Sequence, residues 1–351
     1  MSFEQFKKQD FFSTRNHIDK YSHVPSELIS GSYRYSKISV VIPTYKRSHL
    51  LEEAIKSCME QSYTDFDIVI SDNNPDRNDE TENLIRHIDS PRIVYYKNKE
   101  NIGPLANFNR CIELSNCDFC VFLCSDDLLA PDYIQKIVGW LDGRDDIDML
   151  LPQKDIQYPK MTYKMRGYST FLRTLACLTG KETYMKIEPK DFILYYPAAG
   201  PSGIVYKRSS FFDIGGFNPQ WHPTGDYIMH FLMALKKNTF LISTNSGKYR
   251  MQENISQEKG IRGVYIIQNY LIRKVFSRAY PGNDWSEPFY KGAVYKWLKL
   301  DMSGNSAEMY DVQEIMKYIK TCTFMHFVFY IMVWCLNFLL LPFRSKVRKI
   351  K

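Results

Sequence analysis

Two nucleotide-binding fingerprints are missing from this chain. No G-x-G-x-x-G follows its first apolar run and no G-x-x-x-x-G-K-[ST] occurs, which argues against a dinucleotide-dependent oxidoreductase and a P-loop NTPase. The opening stretch MSFEQFKKQDFFSTRNH lacks the apolar core of a secretory leader, so no signal peptide is read and a reducing cytosol is the expected compartment. A dispersed basic face is missing too. Of the net charge of +7, five positive charges sit in the last eight residues, RSKVRKIK, and the remaining 343 residues hold +2. That pattern points away from a nucleic-acid binder, which spreads Lys and Arg over a folded face. The eight cysteines include Cys111, Cys117, Cys120 and Cys124, but their placement in apolar helix and strand patterns reads as free core thiols rather than a zinc or iron–sulfur site. With 44% hydrophobic and 24% charged residues, the chain has globular composition and is not a disordered protein.

From Lys37 the hydrophobic pattern is regular. The runs KISVVIPTY, FDIVISDNN, RIVYYKN and DFCVFLCSDD read as strands, and they alternate with helical stretches such as SHLLEEAIKSCMEQ and PLANFNRCIELS. Strands alternating with helices imply an α/β fold with a mostly parallel sheet flanked by helices. In such sheets ligands bind at the carboxyl ends of the strands. Those ends collect Pro43, Thr44, Tyr45 and Arg47 from the first strand, Asp72 and Asn73 from the second, Asn101, Gly103 and Asn107 after the third, and Asp126 and Asp127 after the fourth. An acid ending the second strand suits a ribose or the imide of a base. Adjacent acids with no basic neighbour in sequence suit a hard divalent cation, with a diphosphate supplying further oxygens. A polar turn leading into a helix is the competing reading of Asp126 and Asp127.

In their order and spacing, VVIPTYKR, ISDNN, NIGPLANFN and CSDD resemble the family 2 glycosyltransferases of the GT-A fold, a Rossmann-like architecture used to build bacterial surface polysaccharides such as O-antigen or capsule. The resemblance covers residues 37–150 and continues more loosely to about 256. It implies an inverting, metal-dependent glycosyltransferase, hexosyltransferase in type, that moves a sugar from a nucleotide-diphosphate sugar, in particular a UDP-sugar, to a saccharide or polyprenyl-diphosphate-linked acceptor. Pro43, Thr44 and Tyr45 then line the base and ribose pocket and Asp72 contacts the base. Asp127 is a ligand of Mn2+ or Mg2+, and Asp126 lies nearer the ribose and sugar while sharing the metal. Asp226, after SGIVYKRSSFFDIGGFNP, becomes the general base. Gly225 stands where the family has Glu, and Gln252 where many members have a metal-ligating His. His222 and His230 are expected as loop and helix-face residues, and the segment Tyr195 to Ser202 as part of the acceptor side. A catalytically silent membrane assembly partner is the alternative from another class.

The implied organisation is an N-terminal extension over 1–36, a glycosyltransferase domain over 37–253 (nucleotide-sugar half 37–150, acceptor half 151–253), a helical region over 254–320, and an apolar helix with a basic tail over 321–351. Residues 324–343, FMHFVFYIMVWCLNFLLLPF, carry no charge. The expectation is a helix lying on or dipping into the cytoplasmic face of a bacterial inner membrane, with the basic tail on anionic headgroups. The alternatives are a single span, whose orientation would oppose the retention of basic residues inside, and a packed core helix.

Overall fold

A computed structural model of the chain describes residues 18, 21, 23–158, 161–164, 168–194, 197–198, 200–251, 259–279, 286–296 and 323–349. Tyr195 and Gln252, both named above, lie outside the described residues. The chain divides into two compact units, a larger one over 14–187, 198–252 and 346–351, and a smaller one that includes 188–197 and 253–345.

The larger unit is built on one sheet. Its first strands are β1 (Ser26–Ser30), β2 (Ser36–Thr44), β3 (Asp67–Asp72), β4 (Ile93–Asn98), β5 (Cys117–Phe122) and the short β6 (Leu128–Leu129). They are followed by β7 (Met149–Tyr158), β8 (Met161–Lys164), β9 (Glu182–Ile187), β10 (Val205–Lys207), β11 (Thr239–Arg250) and β12 (Ser345–Arg348). The spatial order is β1-β4-β3-β2-β5-β10-β7-β11-β9-β12, with β6 paired to β11 and β8 to β7. The expected parallel sheet is present over β4-β3-β2-β5. Beyond β5 the sheet is mixed: β10 runs antiparallel to both β5 and β7, and β11 is parallel to β7 but antiparallel to β9. The stretch read as an N-terminal extension supplies β1, antiparallel to β4 at the sheet edge. Arg110 holds the chain leading into it, donating to the carbonyls of Tyr21 and Val24 and to the Ser26 hydroxyl.

The strands of the parallel half are apolar on both faces because helices cover both. Helix α1 (Ser48–Met59) buries Leu50, Leu51, Ala54, Ile55 and Cys58, the stripe that helical spacing dictates. Helix α2 (Glu80–Ile88) is capped by Asp79, whose side chain accepts the Glu82 amide. Helix α3 (Pro104–Leu114) starts at Gly103, whose φ of +81° is a left-handed conformation that disfavours other residues. Helices α4 (Tyr133–Leu141), α5 (Tyr168–Thr179), α7 (Arg208–Ile214) and α8 (Gly225–Lys236) complete the larger unit. All described cysteines are free, and Cys58, Cys111, Cys117 and Cys120 are buried.

The described part of the smaller unit is helical, with α6 (Pro189–Leu194), α9 (Lys259–Ala279), α10 (Ser286–Tyr295), α11 (Phe324–Leu339) and α12 (Leu341–Arg344). Leu194, Phe289 and Val333 form its described apolar cluster, joined by Phe329 and Tyr330. The apolar run 324–343 is therefore not one helix. It breaks at Leu340, with Pro342 in the first turn of α12, and the 16 residues of α11 rise about 24 Å, short of the ~30 Å of a bilayer core. No described helix is long and apolar enough to cross a membrane, against the single-span alternative. Two basic residues of the tail have partners within the protein. Arg344 makes a two-pronged pair with buried Asp191, at 2.8 and 2.6 Å, and Arg348 donates to the Asp142 carbonyl at 2.7 Å and lies over the Trp140 ring.

Candidate functional site

Strands β2 and β3 end level, with Thr44 opposite Asp72, and each end carries a buried acceptor. Thr44 is 3% exposed, and its Oγ1 has no hydrogen-bond partner among the described residues. Pro43 is buried beside it, whereas Tyr45 is open to solvent at 42%. Asp72, expected to face a base, is instead fully buried with both oxygens engaged. Oδ1 accepts the Asn74 amide at 3.0 Å, and Oδ2 accepts Tyr95 Oη at 2.7 Å and Lys97 Nζ at 2.9 Å. Burial raises its pKa, and the bonds from Lys97 and the Asn74 amide oppose the rise. The unsatisfied acceptor at this strand end belongs to Asn74, whose buried Oδ1 has no partner among the described residues. Sequence reasoning passed over Asn74 because nothing in its spacing separates it from Asn73.

The asparagines after β3 and β4 form a clamp. Asn73 Oδ1 accepts Asn98 Nδ2 and the Ile102 amide, and Asn73 Nδ2 donates to Asn101 Oδ1 at 2.7 Å and to the Gly103 carbonyl at 3.4 Å. Asn107 was expected to bind ligand, but its amide is consumed within the protein. Its Oδ1 accepts Ser71 Oγ and Asn98 Nδ2, and its Nδ2 donates to the Ser71 and Thr44 carbonyls. Asn73, Asn101, Gly103 and Asn107 thus fix where β2, β3 and α3 stand. Asn109, which sequence reasoning left out, pairs like a backbone strand with Phe217: its Nδ2 donates to the Phe217 carbonyl at 2.7 Å and its Oδ1 accepts the Phe217 amide at 2.8 Å. This ties α3 to the turn preceding α8. Gly225 opens α8 in a tight place, since a Cβ there lies 2.5 Å from Leu105 Cδ1 and 3.1 Å from the Asn218 carbonyl, and a side chain requires Leu105 to shift.

The acid pair sits in the turn after β5. The carboxylate oxygens of Asp126 and Asp127 and the Cys124 Sγ lie within 4.8 Å of one another. Asp127 is 2% exposed; its Oδ1 accepts the Arg250 backbone amide at 2.8 Å, and its Oδ2 is buried with no partner among the described residues. Burial and the neighbouring Asp126 push its pKa up. A buried carboxylate oxygen left open beside a second acid fits a cation. These acids have no basic neighbour along the sequence, but the fold brings basic groups to them. Arg47 pairs with Asp126 at 3.2 Å. Lys154, 2% exposed on β7, donates to the Gly200 carbonyl at 2.8 Å; burial lowers its pKa, and the charges of Asp127 and Asp226 oppose that. Lys154 therefore sits within electrostatic reach of both the acid corner and the first turn of α8. Asp226 in that turn is half-buried and accepts the Tyr227 amide, a geometry that serves the macrodipole as well as chemistry. His230 faces the core of the same helix, 2.6 Å from Tyr206 Oη.

Comparison with known proteins places this architecture. Residues 39–211 match the family model described as "Glycosyl transferase family 2". That segment belongs to glycosyltransferase family 2. Similar curated members of the family include abequosyltransferase RfbV of Salmonella typhimurium, 38% identical over 113 residues, and the GalNAc(5)-diNAcBac-PP-undecaprenol beta-1,3-glucosyltransferase of Campylobacter jejuni, 38% identical over 105 residues. These matches take in 31% and 29% of this chain and 34% and 33% of those proteins, so the chain spans about a third of the length of each relative. Among solved structures, S. aureus TarS residues 1–349 in complex with UDP-GlcNAc superposes with a TM-score of 0.53 at 14% identity, over 87% of this chain and 81% of that one, a likeness of fold. The mixed sheet flanked by helices is that of a family 2 glycosyltransferase, and the ends of β2, β3, β4 and β5 fall inside the matched segment, with Asp226 and Arg250 beyond it.

Proposed function

We propose that this family 2 glycosyltransferase transfers a sugar from a nucleotide-diphosphate sugar, a UDP-sugar as working donor, to a saccharide or polyprenyl-diphosphate-linked acceptor, with inversion. The reading rests on one observation: a buried, unpartnered Asp127 Oδ2 next to Asp126 at the carboxyl edge of the parallel strands. Thr44 Oγ1 and Asn74 Oδ1 are the acceptors available to base and ribose at the adjoining strand ends, over the wall formed by Pro43 and Tyr45. Asp72 acts from behind, by holding β3 and the Asn74 amide in place. Asp127 and Asp126 would hold Mn2+ or Mg2+, which when bound stabilises negative charge on the departing diphosphate. Arg47 offsets the charge of Asp126. Asp226 takes the proton of the acceptor hydroxyl, while positive charge develops on the sugar ring as in glycoside hydrolysis. The acceptor class is supported by the two bacterial relatives, one of which is named for a PP-undecaprenol-linked saccharide, and the uridine donor by the UDP-GlcNAc of the TarS complex.

A membrane partner fits the same chemistry. The face of α11 turned away from α10 exposes Met325, Leu336 and Leu339, and Phe343 of α12 is 87% exposed. This face suits a lipid surface, which would bring the enzyme to a lipid-linked acceptor at the cytoplasmic side of a membrane.

The test is a panel of sugar nucleotides assayed for transfer and hydrolysis, with Mn2+ or Mg2+ and with EDTA. Turnover of at least one donor, abolished by EDTA and restored by the metal, is expected. Full transfer in excess EDTA refutes the metal assignment, and absence of both turnover and donor binding refutes the donor class.

A further inference from the structure

Arg250 ends β11 at the acid corner. It is 7% exposed, and its bonds there are made in three directions. Its backbone amide donates to Asp127 Oδ1 at 2.8 Å, its Nε donates to the Asp126 carbonyl, and its Nη1 pairs with Glu53. The remaining nitrogen, Nη2, is buried with no hydrogen-bond partner among the described residues. A guanidinium offers five N–H groups, and leaving buried ones unsatisfied is costly. One corner thus carries two complementary vacant valences: an acceptor, Asp127 Oδ2, and a donor, Arg250 Nη2. The backbone bond between these two residues fixes them as a pair. An acceptor alone calls for a cation and a donor alone for an anion. Together they match a phosphate oxygen carried beside a bound cation.

Resting on the donor reading above, we propose that Arg250 is a donor-binding residue whose free guanidinium nitrogen takes an oxygen of the diphosphate while Asp127 faces the cation. The Glu53 pair and the bond to the Asp126 carbonyl hold the guanidinium plane in place before the ligand arrives, so little side-chain entropy is lost on binding. The contact forms with the diphosphate and persists as it departs, so Arg250 serves leaving-group recognition rather than choice of sugar. Nothing along the sequence marks this role. Arg250 lies 123 residues after Asp127, and only the pairing of β11 with β6 and β7 brings it back.

The experiment uses the full chain with Mn2+. Titration with UDP, GDP, CDP, dTDP and ADP identifies the nucleoside diphosphate that wild type binds best, and the same protein is then titrated with the matching monophosphate. Arg250→Met is expected to weaken the diphosphate roughly tenfold or more, the range of a lost charge-assisted bond, with a much smaller change for the monophosphate. Arg250→Lys should recover part of the loss. An unchanged ratio of diphosphate to monophosphate affinity in Arg250→Met overturns the assignment. Wild type that binds none of the five nucleotides overturns the donor reading, and this assignment with it. If Arg250→Met does not fold, Arg250→Lys decides the matter: it keeps the charge but loses the planar fork, so the same ratio should stay about two- to threefold below that of wild type, and a wild-type ratio overturns the proposal.

Discussion

Replacing Lys97 by Met tests the buried charge cluster that supports the nucleotide edge. Lys97 is 2% exposed on β4, and its Nζ lies 2.9 Å from both Asp72 Oδ2 and Asp79 Oδ2. Methionine keeps the stem and removes the charge, so the change isolates what the ammonium does for Asp72. Breaking a buried pair on one side costs about 3–5 kcal/mol, but Asp72 has an escape, since it can take a proton. That escape sets a ceiling. Protonating a carboxyl of ordinary pKa ~3.9 costs about 1.4 kcal/mol for each pH unit above that value, so at most about 4 kcal/mol at pH 7 and about 1.5 kcal/mol at pH 5. Asp79 loses a partner too, but it keeps the Glu82 amide and Asn74 Nδ2 and adds little. The assay is the urea midpoint followed by tryptophan fluorescence, Trp140 and Trp221 both being buried in the larger unit. Because burial already raises the Asp72 pKa in wild type, part of that ceiling is spent before the substitution; Lys97→Met should be about 2–3 kcal/mol less stable than wild type at pH 7, the loss should shrink on acidification to pH 5, and Lys97→Met with Asp72→Asn should recover much of it. A variant within about 1 kcal/mol of wild type at pH 7, or a loss of equal size at both pH values, refutes the reasoning.

Asp226→Asn should fold and bind the donor with wild-type affinity while turnover drops roughly 10²-fold; retention of more than about a tenth of the wild-type rate contradicts a general-base role. His230 is buried against Tyr206, and burial lowers its pKa to about 3. The unfolded chain therefore takes up a proton below about pH 6.5 that the folded protein refuses, so this contribution is complete above pH 6.5 and is lost toward pH 3 at up to about 1.4 kcal/mol per unit. The melting temperature of His230→Gln should fall less than that of wild type between pH 6.5 and 4.5, and parallel curves would count against it. Leu339→Asp and Phe343→Asp together should cut sedimentation with phosphatidylglycerol-containing vesicles severalfold without altering soluble-substrate turnover, and unchanged sedimentation would remove the lipid surface from the reading.

The alternation of strand and helix was legible in the sequence because the physics behind it is local. A strand covered on both faces must read as an unbroken apolar run, as KISVVIPT does, and a helix on that sheet must repeat its apolar residues as Leu50, Leu51, Ala54, Ile55 and Cys58 do. The polar residues at the strand ends were legible for the same reason, since the end of a buried strand is where polar side chains return. What those side chains do was decided elsewhere. Whether Asp72 or Asn74 offers an open oxygen depends on Tyr95 and Lys97, which reach Asp72 from the next strand 23 and 25 residues later. Whether Asn107 meets a ligand depends on four bonds to β2, β3 and β4 that only the folded sheet supplies. Asp126 and Asp127 look uncompensated along the chain, yet Arg47 and Lys154 approach them from other strands and strand ends. The apolar run 324–343 gives a hydropathy and no length of helix, and it is the break at Leu340 and the Arg344–Asp191 pair that take it out of a single span. Hydrophobic period is a property of neighbours in sequence and survives reading one residue at a time. Charge compensation and hydrogen-bond satisfaction are properties of neighbours in space, and only the tertiary structure decided them.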